Sequence, residues 1–122
     1  MHGFGKIFVI GCGALTEGSL THDACKILEQ SDIIVGYKKY AEEIKKLFPH
    51  KQFFVSAMKE EVERVKKALE FAKEGKKISI ISSGDSGIYA MAGLTYEIVA
   101  KMKLDIDIVV VPGVPALAIC SA

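Results

Sequence analysis

The stretch that decides the fold is residues 78–94, which read ISIISSGDSGIYAMAGL. Residues 78–82 are rich in isoleucine, and the run is short enough for a buried β-strand. Residues 83–87 hold two glycines between small polar residues, which is typical of a tight turn. From about Ile88 to Met102 the composition becomes that of a helix. A strand, a glycine turn and a helix in direct succession favour a sheet with helical crossovers.

The same alternation of strand and helix extends over the whole chain of 122 residues, which suits one domain. Strands are predicted at residues 6–10, 33–37, 52–55, 78–82 and 106–111. Helices are predicted from Thr21, over residues 41–48, from about Glu60 to Lys73, from about Ile88 to Met102, and over residues 116–122. The strands are continuous apolar runs, as expected when both faces of a sheet are covered. The sequence therefore predicts an α/β fold, an open five-stranded, mostly parallel sheet with helices on both faces.

Composition excludes several classes of function. The formal net charge is +1 and lysines alternate with glutamates, so we expect neither a nucleic-acid nor a membrane partner. Three cysteines and three histidines lie far apart and lack zinc-ligand spacing, so we expect no metal. A reducing cytoplasm is the simplest compartment for such cysteines. The apolar run at residues 116–120 predicts that a further domain, or another chain, continues this fold.

Glycine-bearing loops follow three of the predicted strands. They are Gly11-Cys12-Gly13, residues 83–87 and Pro112-Gly113. In open α/β sheets, ligands bind beyond the carboxyl ends of the strands. Glycine lets a backbone approach a ligand closely, and helix starts attract carboxylate or phosphate groups. Any single loop of this kind is equally consistent with an ordinary strand-to-helix turn.

A nicotinamide-binding domain is the obvious competitor, but two of its features are missing. Thr16 stands where the third glycine of the GxGxxG motif belongs, and the second strand ends in Gly36-Tyr37 instead of an acidic residue. A Walker lysine loop is absent from the sequence, and the spacing suggests no Ser-His-Asp or Cys-His arrangement. The dinucleotide interpretation is therefore disfavoured.

Several motifs in chain order point to one family. They are Gly11-Cys12-Gly13, residues 31–40 (SDIIVGYKKY), residues 58–64 (MKEEVER), residues 82–94 (SSGDSGIYAMAGL) and residues 110–116 (VVPGVPA). Together they resemble the precorrin-3B C17-methyltransferases, a branch of the tetrapyrrole methyltransferases, over essentially the whole chain. The chain departs from the family at Ala14-Leu15, where Pro-Gly is usual, and at Pro115, where Thr or Ser is usual.

The resemblance implies one half of a two-domain enzyme that holds S-adenosyl-L-methionine in the cleft between its domains. Residues 1–122 match the amino-terminal domain, and the usual second domain is absent. The implied cofactor-binding residues are Ser83, Gly84, Asp85, Ile88, Pro115 and Ala116. The implied substrate-binding residues are Gly11, Cys12, Gly13 and Ala14.

The activity implied is methylation of a cobalamin precursor at C17 with ring contraction, on precorrin-3B or cobalt-factor III. We expect an incomplete half-enzyme in the cytoplasm, either homodimeric or lacking its carboxy-terminal domain. One alternative is a non-catalytic cofactor-binding or subunit domain that needs a partner chain. Another is a different superfamily member, such as a diphthine synthase.

Few protein groups need to react in this chemistry, because the cofactor brings the electrophilic methyl group. The coupled ring contraction is a step that a proton donor or acceptor could assist, and Tyr37 and Tyr40, near the end of the second strand, are the candidate catalytic residues. Tyr40 fits equally well as a packing residue of the next helix. Asp85 is expected to cap a helix. Arg64 is expected to be a surface charge of its amphipathic helix.

Overall fold

The computed structural model describes residues 5–11, 22–56, 60–82 and 86–111. Within these residues five strands alternate with four helices, and the predicted last helix over residues 116–122 lies outside them. The elements are β1 (Lys6–Gly11), α1 (His22–Gln30), β2 (Ile33–Tyr37), α2 (Lys38–Leu47), β3 (Gln52–Ser56), α3 (Glu61–Lys73), β4 (Lys77–Ser82), α4 (Ser86–Met102) and β5 (Asp107–Val111). The predicted α/β fold is confirmed, and every strand pair of the sheet is parallel.

The strand order across the sheet is β3-β2-β4-β1-β5. Along the chain the strands first step from β1 to β2 to β3, and then return from β3 to β4 to β5. Parallel crossovers are right-handed, so the two directions of travel place their helices on opposite faces. The packing agrees, because α1 and α2 cover one face of the sheet and α3 and α4 cover the other.

Strand β4 is the centre of the core. Its residues from Ile78 to Ile81 are all 0% exposed. Ile78 and Ile80 pack in the cluster with α3 and α4, whereas Ile81 packs in the cluster with α1 and α2. The one polar residue in this run, Ser79, lies 2.5 Å from the Ser31 hydroxyl, which in turn donates to the Ile27 carbonyl at 2.7 Å. Both buried hydroxyls are thereby hydrogen-bonded, as burial requires.

Helix α3 ends where its sequence predicts. Gly75 has a φ of +90°, and its N–H donates to the Ala72 carbonyl at 3.0 Å. That left-handed conformation is one that glycine adopts without strain, so Gly75 ends the helix and turns the chain into β4.

Cys25, which is half-buried on α1, is disulfide-bonded. In the part of the chain that the structure describes, no helix is both long and apolar enough to cross a bilayer.

Gly36 in β2 generates a stability prediction. A Cβ atom at this position would lie 2.4 Å from Cγ1 and 2.8 Å from Cδ1 of Ile81, whose side chain is fully buried. Neither strand can move aside within the sheet, so we expect Gly36→Ala to lower the free energy of unfolding by about 1–3 kcal/mol. Urea unfolding followed by circular dichroism measures the change.

Gly93→Ala is the matched control. Gly93 is exposed within α4, and a Cβ there would meet nothing within 4 Å. Alanine loses less conformational freedom in a helix than glycine does, so we expect this variant to gain about 0.5–1 kcal/mol. Equal destabilisation by both substitutions would contradict the steric account of Gly36.

Candidate functional site

The carboxyl ends of the parallel strands form one edge of the sheet. In spatial order the last residues of the strands are Ser56, Tyr37, Ser82, Gly11 and Val111. The three loops singled out in the sequence therefore follow three adjacent strands, β4, β1 and β5. The sequence pattern predicted the three strand ends but not their adjacency, because periodicity along one strand carries no information about its neighbours.

A crevice is expected at the carboxyl end of β4, because the connection that follows this strand leaves towards a different face from those that follow its neighbours. The helices that follow its neighbours, α1 after β1 and α2 after β2, lie on one face, whereas α4 lies on the other. Where adjacent strands send their connections to opposite faces, a crevice opens at the carboxyl ends, and ligands of open α/β sheets bind there. The strand that leads into Ser83 thus stands at the centre of the candidate site.

Two of the predicted binding residues lie within the described residues. Gly11 is the buried last residue of β1 and pairs in register with Ser82. Ile88 is 1% exposed, and its side chain packs in the core beneath α4. Their roles in binding stay predictions. The remaining predicted residues lie outside the described residues: Cys12, Gly13, Ala14, Ser83, Gly84, Asp85, Pro115 and Ala116.

The two candidate tyrosines come together at the end of β2. Tyr37 is half-buried, with φ −68° and ψ 142°, and α2 begins directly after it. The Tyr40 ring meets the Tyr37 ring edge-on, with 5.8 Å between the centroids. Tyr40 also packs against the cluster beneath α1 and α2, as its packing interpretation requires. Tyr37 is therefore the better placed of the two for chemistry at the edge.

Arg64 is the functional candidate that sequence reasoning missed. The prediction of a surface charge was wrong, because Arg64 is only 5% exposed. Its Nε donates a hydrogen bond of 2.6 Å to Oγ of Ser56, at the end of β3. Its guanidinium carbon lies 6.0 Å from the centroid of the Tyr37 ring.

The error arose at one position of the helix face. The sequence spacing predicts that Val62, Val65, Leu69 and Ala72 line the apolar face of α3. Val65, Leu69 and Ala72 are buried as predicted, whereas Val62 is 43% exposed, and Arg64 and Ala68 are buried eight and four residues before Ala72. Residues at this spacing of four lie one above another on a helix. The two alanines let the helix approach the sheet closely. The sequence feature that could have indicated the burial of Arg64 is its spacing of four and eight residues from Ala68 and Ala72, which places it on the same side of the helix.

Charges of both signs lie at this part of the edge, with glutamates at the beginning of α3 and lysines at the beginning of α2. Burial lowers the pKa of the Arg64 guanidinium from its ordinary value, while the nearby charges of Glu61 and Glu60 act to raise it. Helix α2 has no acidic residue in its first turn, which instead carries the exposed Lys38 and Lys39. A helix start is itself electropositive, so this arrangement favours an anionic ligand.

A metal centre needs ligands grouped in space. Among the described residues, no three His, Cys, Asp or Glu side chains come close enough to hold an ion. The expectation that the chain binds no metal stays a prediction.

Comparisons with known proteins agree with this geometry. The family model described as Tetrapyrrole (Corrin/Porphyrin) Methylases matches residues 6–122. A probable cobalt-factor III C(17)-methyltransferase of Salmonella typhimurium is 42% identical over 108 residues, which cover 88% of this chain and 45% of that protein. The cobalt-factor III methyltransferase of Priestia megaterium is 38% identical, over 97% of this chain and 23% of its own length.

A solved structure supports the same relationship. The crystal structure of the methyltransferase CobJ superposes with a TM-score of 0.77 at 30% identity, over 92% of this chain and 47% of that one. The predicted resemblance to C17-methyltransferases is thereby confirmed. The chain spans about half the length, or less, of these relatives.

The buried contact between Arg64 and Ser56 is testable through stability. Ser56→Ala removes the acceptor of a buried, charged donor, so we expect a loss of about 1–3 kcal/mol in the free energy of unfolding. Urea denaturation measures it. Lys66→Ala, an exposed position of the same helix, serves as the control and should change stability by less than about 0.5 kcal/mol. A Ser56→Ala value no larger than the control would show that the contact contributes nothing.

Proposed function

The chain belongs to the family of tetrapyrrole (corrin/porphyrin) methylases, and from that premise we propose that it takes part in methylation of a cobalamin precursor at C17. The proposed cofactor is S-adenosyl-L-methionine, and the proposed substrate is precorrin-3B or cobalt-factor III, with ring contraction accompanying methyl transfer. The similarity to named cobalt-factor III methyltransferases supports this choice over a diphthine synthase.

The observation that carries the proposal is the adjacency of β4, β1 and β5 at the carboxyl edge. A methyl transfer between two bound molecules needs both of them held in one crevice, in line with each other. The residues proposed for the cofactor follow β4 and β5, and those proposed for the tetrapyrrole follow β1, which lies between them. The two sets thus leave the sheet from three neighbouring strands.

The beginning of α2 suits the proposed substrate. Corrin precursors carry several carboxylates, and the beginning of α2 presents Lys38 and Lys39 on an electropositive helix start. Such fields raise the local concentration of an anion before it is bound. Helix α4 begins at Ser86, and the electropositive start of a helix suits the cofactor carboxylate.

The cofactor determines which parts of the reaction are left to the side chains and backbone of the protein. When bound, S-adenosyl-L-methionine supplies an electrophilic methyl group on a sulfonium, so the chain needs no nucleophile of its own. The proposed part of residues 83–85 is to hold the cofactor through backbone groups. The proposed part of the Tyr37 hydroxyl is to give or take a proton during ring contraction, and Tyr40 is the second candidate.

We propose further that this chain supplies one wall of the cleft. It spans 45% of the Salmonella relative and 47% of the CobJ chain, so a site shared by two domains needs the other part. The alternative, a non-catalytic cofactor-binding subunit, predicts binding without turnover even when a second domain is supplied.

Self-association in the cytoplasm is the proposed state of the chain. Helix α4 carries Tyr89 and Tyr96 at 63% and 52% exposure, and large exposed aromatic side chains are enriched where chains meet. Multi-angle light scattering of the purified chain is expected to give the mass of a homodimer, and cell fractionation checks the compartment. A strictly monomeric species over the micromolar range would contradict the proposed dimer.

The activity is tested with a chimera. This chain is fused to the part of the Salmonella relative that lies beyond the matched segment, and the protein is incubated with cobalt-factor III and S-adenosyl-L-methionine. We expect mass spectrometry to detect a product heavier by one methyl group, formed only when the cofactor is present. An inactive, folded chimera beside an active Salmonella enzyme would contradict the proposed function.

Single substitutions in the chimera test which tyrosine transfers the proton. Loss of a proton-transferring hydroxyl costs about 10²–10⁴ in rate, so Tyr37→Phe is expected to be strongly impaired. Tyr96→Phe is the control, because Tyr96 is exposed on α4 and makes only a 3.4 Å hydrogen bond to the Ile108 carbonyl. Tyr40→Phe keeps the ring and its packing, so a loss of rate there would transfer the proton role to Tyr40.

A further inference from the structure

We propose that Arg64 is a positioning residue that holds the Tyr37 ring in place at the carboxyl edge of β2. The proposal rests on the proposed function, in which Tyr37 belongs to the site. Arg64 itself is not assigned a contact with substrate or cofactor.

The first step of the argument is the burial of Arg64. Of the described residues, it is the one charged side chain that is buried. Arginine is seldom buried unless its donors are paired, because taking the charge out of water is costly. The carboxylates of Glu60 and Glu61, at the beginning of α3, act against that cost. An arginine on an exposed helix face keeps its hydration and carries no such desolvation cost. The burial of Arg64 therefore calls for a structural explanation.

The second step is the connection to β3. The 2.6 Å bond from Nε to Ser56 fixes the guanidinium at the end of that strand. Ser56 is the register partner of Tyr37 in the β2–β3 pair. Arg64 thus contacts two residues that are paired across the sheet: it donates to the Ser56 hydroxyl and faces the Tyr37 ring.

The third step is the packing of the ring. Tyr37 has the guanidinium 6.0 Å from its centroid and the Tyr40 ring 5.8 Å away, edge-on at 77°. Both distances are within the range of favourable cation–π and aromatic contacts. Because the two neighbours belong to different helices, α3 and α2, the ring is restrained by two elements that are anchored independently of each other.

Arginine suits this task better than lysine. Its planar guanidinium can donate to Ser56 and face an aromatic ring at the same time, whereas an ammonium group is a compact point charge. A residue that only stabilised the fold would affect the whole domain. A positioning residue has a local effect, because its loss releases Tyr37 while the rest of the chain stays folded.

Hydroxyl-radical footprinting of the chain distinguishes these possibilities. Trypsin isolates Tyr37 in the peptide of residues 27–38 and Tyr40 in that of residues 40–45, while Tyr89 and Tyr96 share residues 78–101. In Arg64→Met we expect the oxidation rate of Tyr37 to rise about threefold, with those of Tyr89 and Tyr96 unchanged, because the released half-buried ring gains solvent exposure. Arg64→Lys should restore the rate only in part.

Lys66→Met is the matched control, since Lys66 is exposed on the same helix. An unchanged Tyr37 rate in Arg64→Met would overturn the proposal, whatever happens to stability. If Arg64→Met unfolds, all four tyrosines react faster, and the milder Ser56→Ala then decides. A rise confined to Tyr37 in that variant supports the positioning role, and no rise overturns it.

A second footprint separates this proposal from the proposed function. The active chimera is footprinted with S-adenosylhomocysteine and cobalt-factor III, and we expect protection of Tyr37. Methylation without protection of Tyr37 would remove this residue from the site and overturn the positioning role, while the proposed function stands. An inactive chimera contradicts the proposed function, yet the footprint of the chain alone still decides whether Arg64 holds Tyr37.

Discussion

The burial of β4 on both faces is the constraint on which the rest of the structure depends. A strand in the middle of a parallel sheet must satisfy its backbone groups through both neighbours and cover both rows of its side chains with helices. Strand β4 does this between β2 and β1, with α1 and α2 on one side and α3 and α4 on the other. A continuous apolar run such as residues 78–81 is stable only in such a position.

Function follows from the same constraint, because covering both faces requires the chain to reverse its direction across the sheet. The reversal occurs after β3, and it makes the connection that follows β4 leave towards the face opposite to the connections that follow its neighbours β1 and β2. The crevice at the carboxyl edge is therefore a consequence of how the core is covered. The proposed cofactor and substrate residues follow β4, β1 and β5 at this edge.

Arg64 is the one charged side chain among the buried residues that the structure describes, and it lies at the carboxyl edge of the sheet, where the site is proposed. A charged side chain at a buried position breaks the local pattern, and such breaks are expected at functional or strained sites. Ser56, at the end of β3, accepts its hydrogen bond, and Ala68 and Ala72 follow Arg64 on the buried face of α3. The sequence alone shows these residues as unremarkable members of a helix and a strand.

Local pattern was sufficient for the elements. Apolar runs and helical spacing predicted all five strands and the helices that the structure describes, with differences of a few residues at their ends, as at α2, which begins at Lys38 rather than Ala41. Gly75 follows α3 with a positive φ, and a glycine at this place is a signal that the sequence itself carries, because a left-handed turn favours glycine. The predicted apolar face of α3 was right at Val65, Leu69 and Ala72 but wrong at Val62, which is exposed while Arg64 is buried, because the sequence of a helix does not fix its rotation against a sheet.

The sequence by itself thus determined the alternation of strand and helix, the parallel α/β class, the family, and the strand ends where ligands are expected. Only the tertiary structure decided the strand order, the burial of Arg64 beside Tyr37 and Ser56, and the packing of Ile88 in the core. The physical reason is the distance along the chain over which each kind of signal acts. Periodicity and turn residues act within a few positions of the chain, whereas the proximity of Arg64 to Tyr37 depends on the β2–β3 register and on the crossover that returns α3 to the sheet.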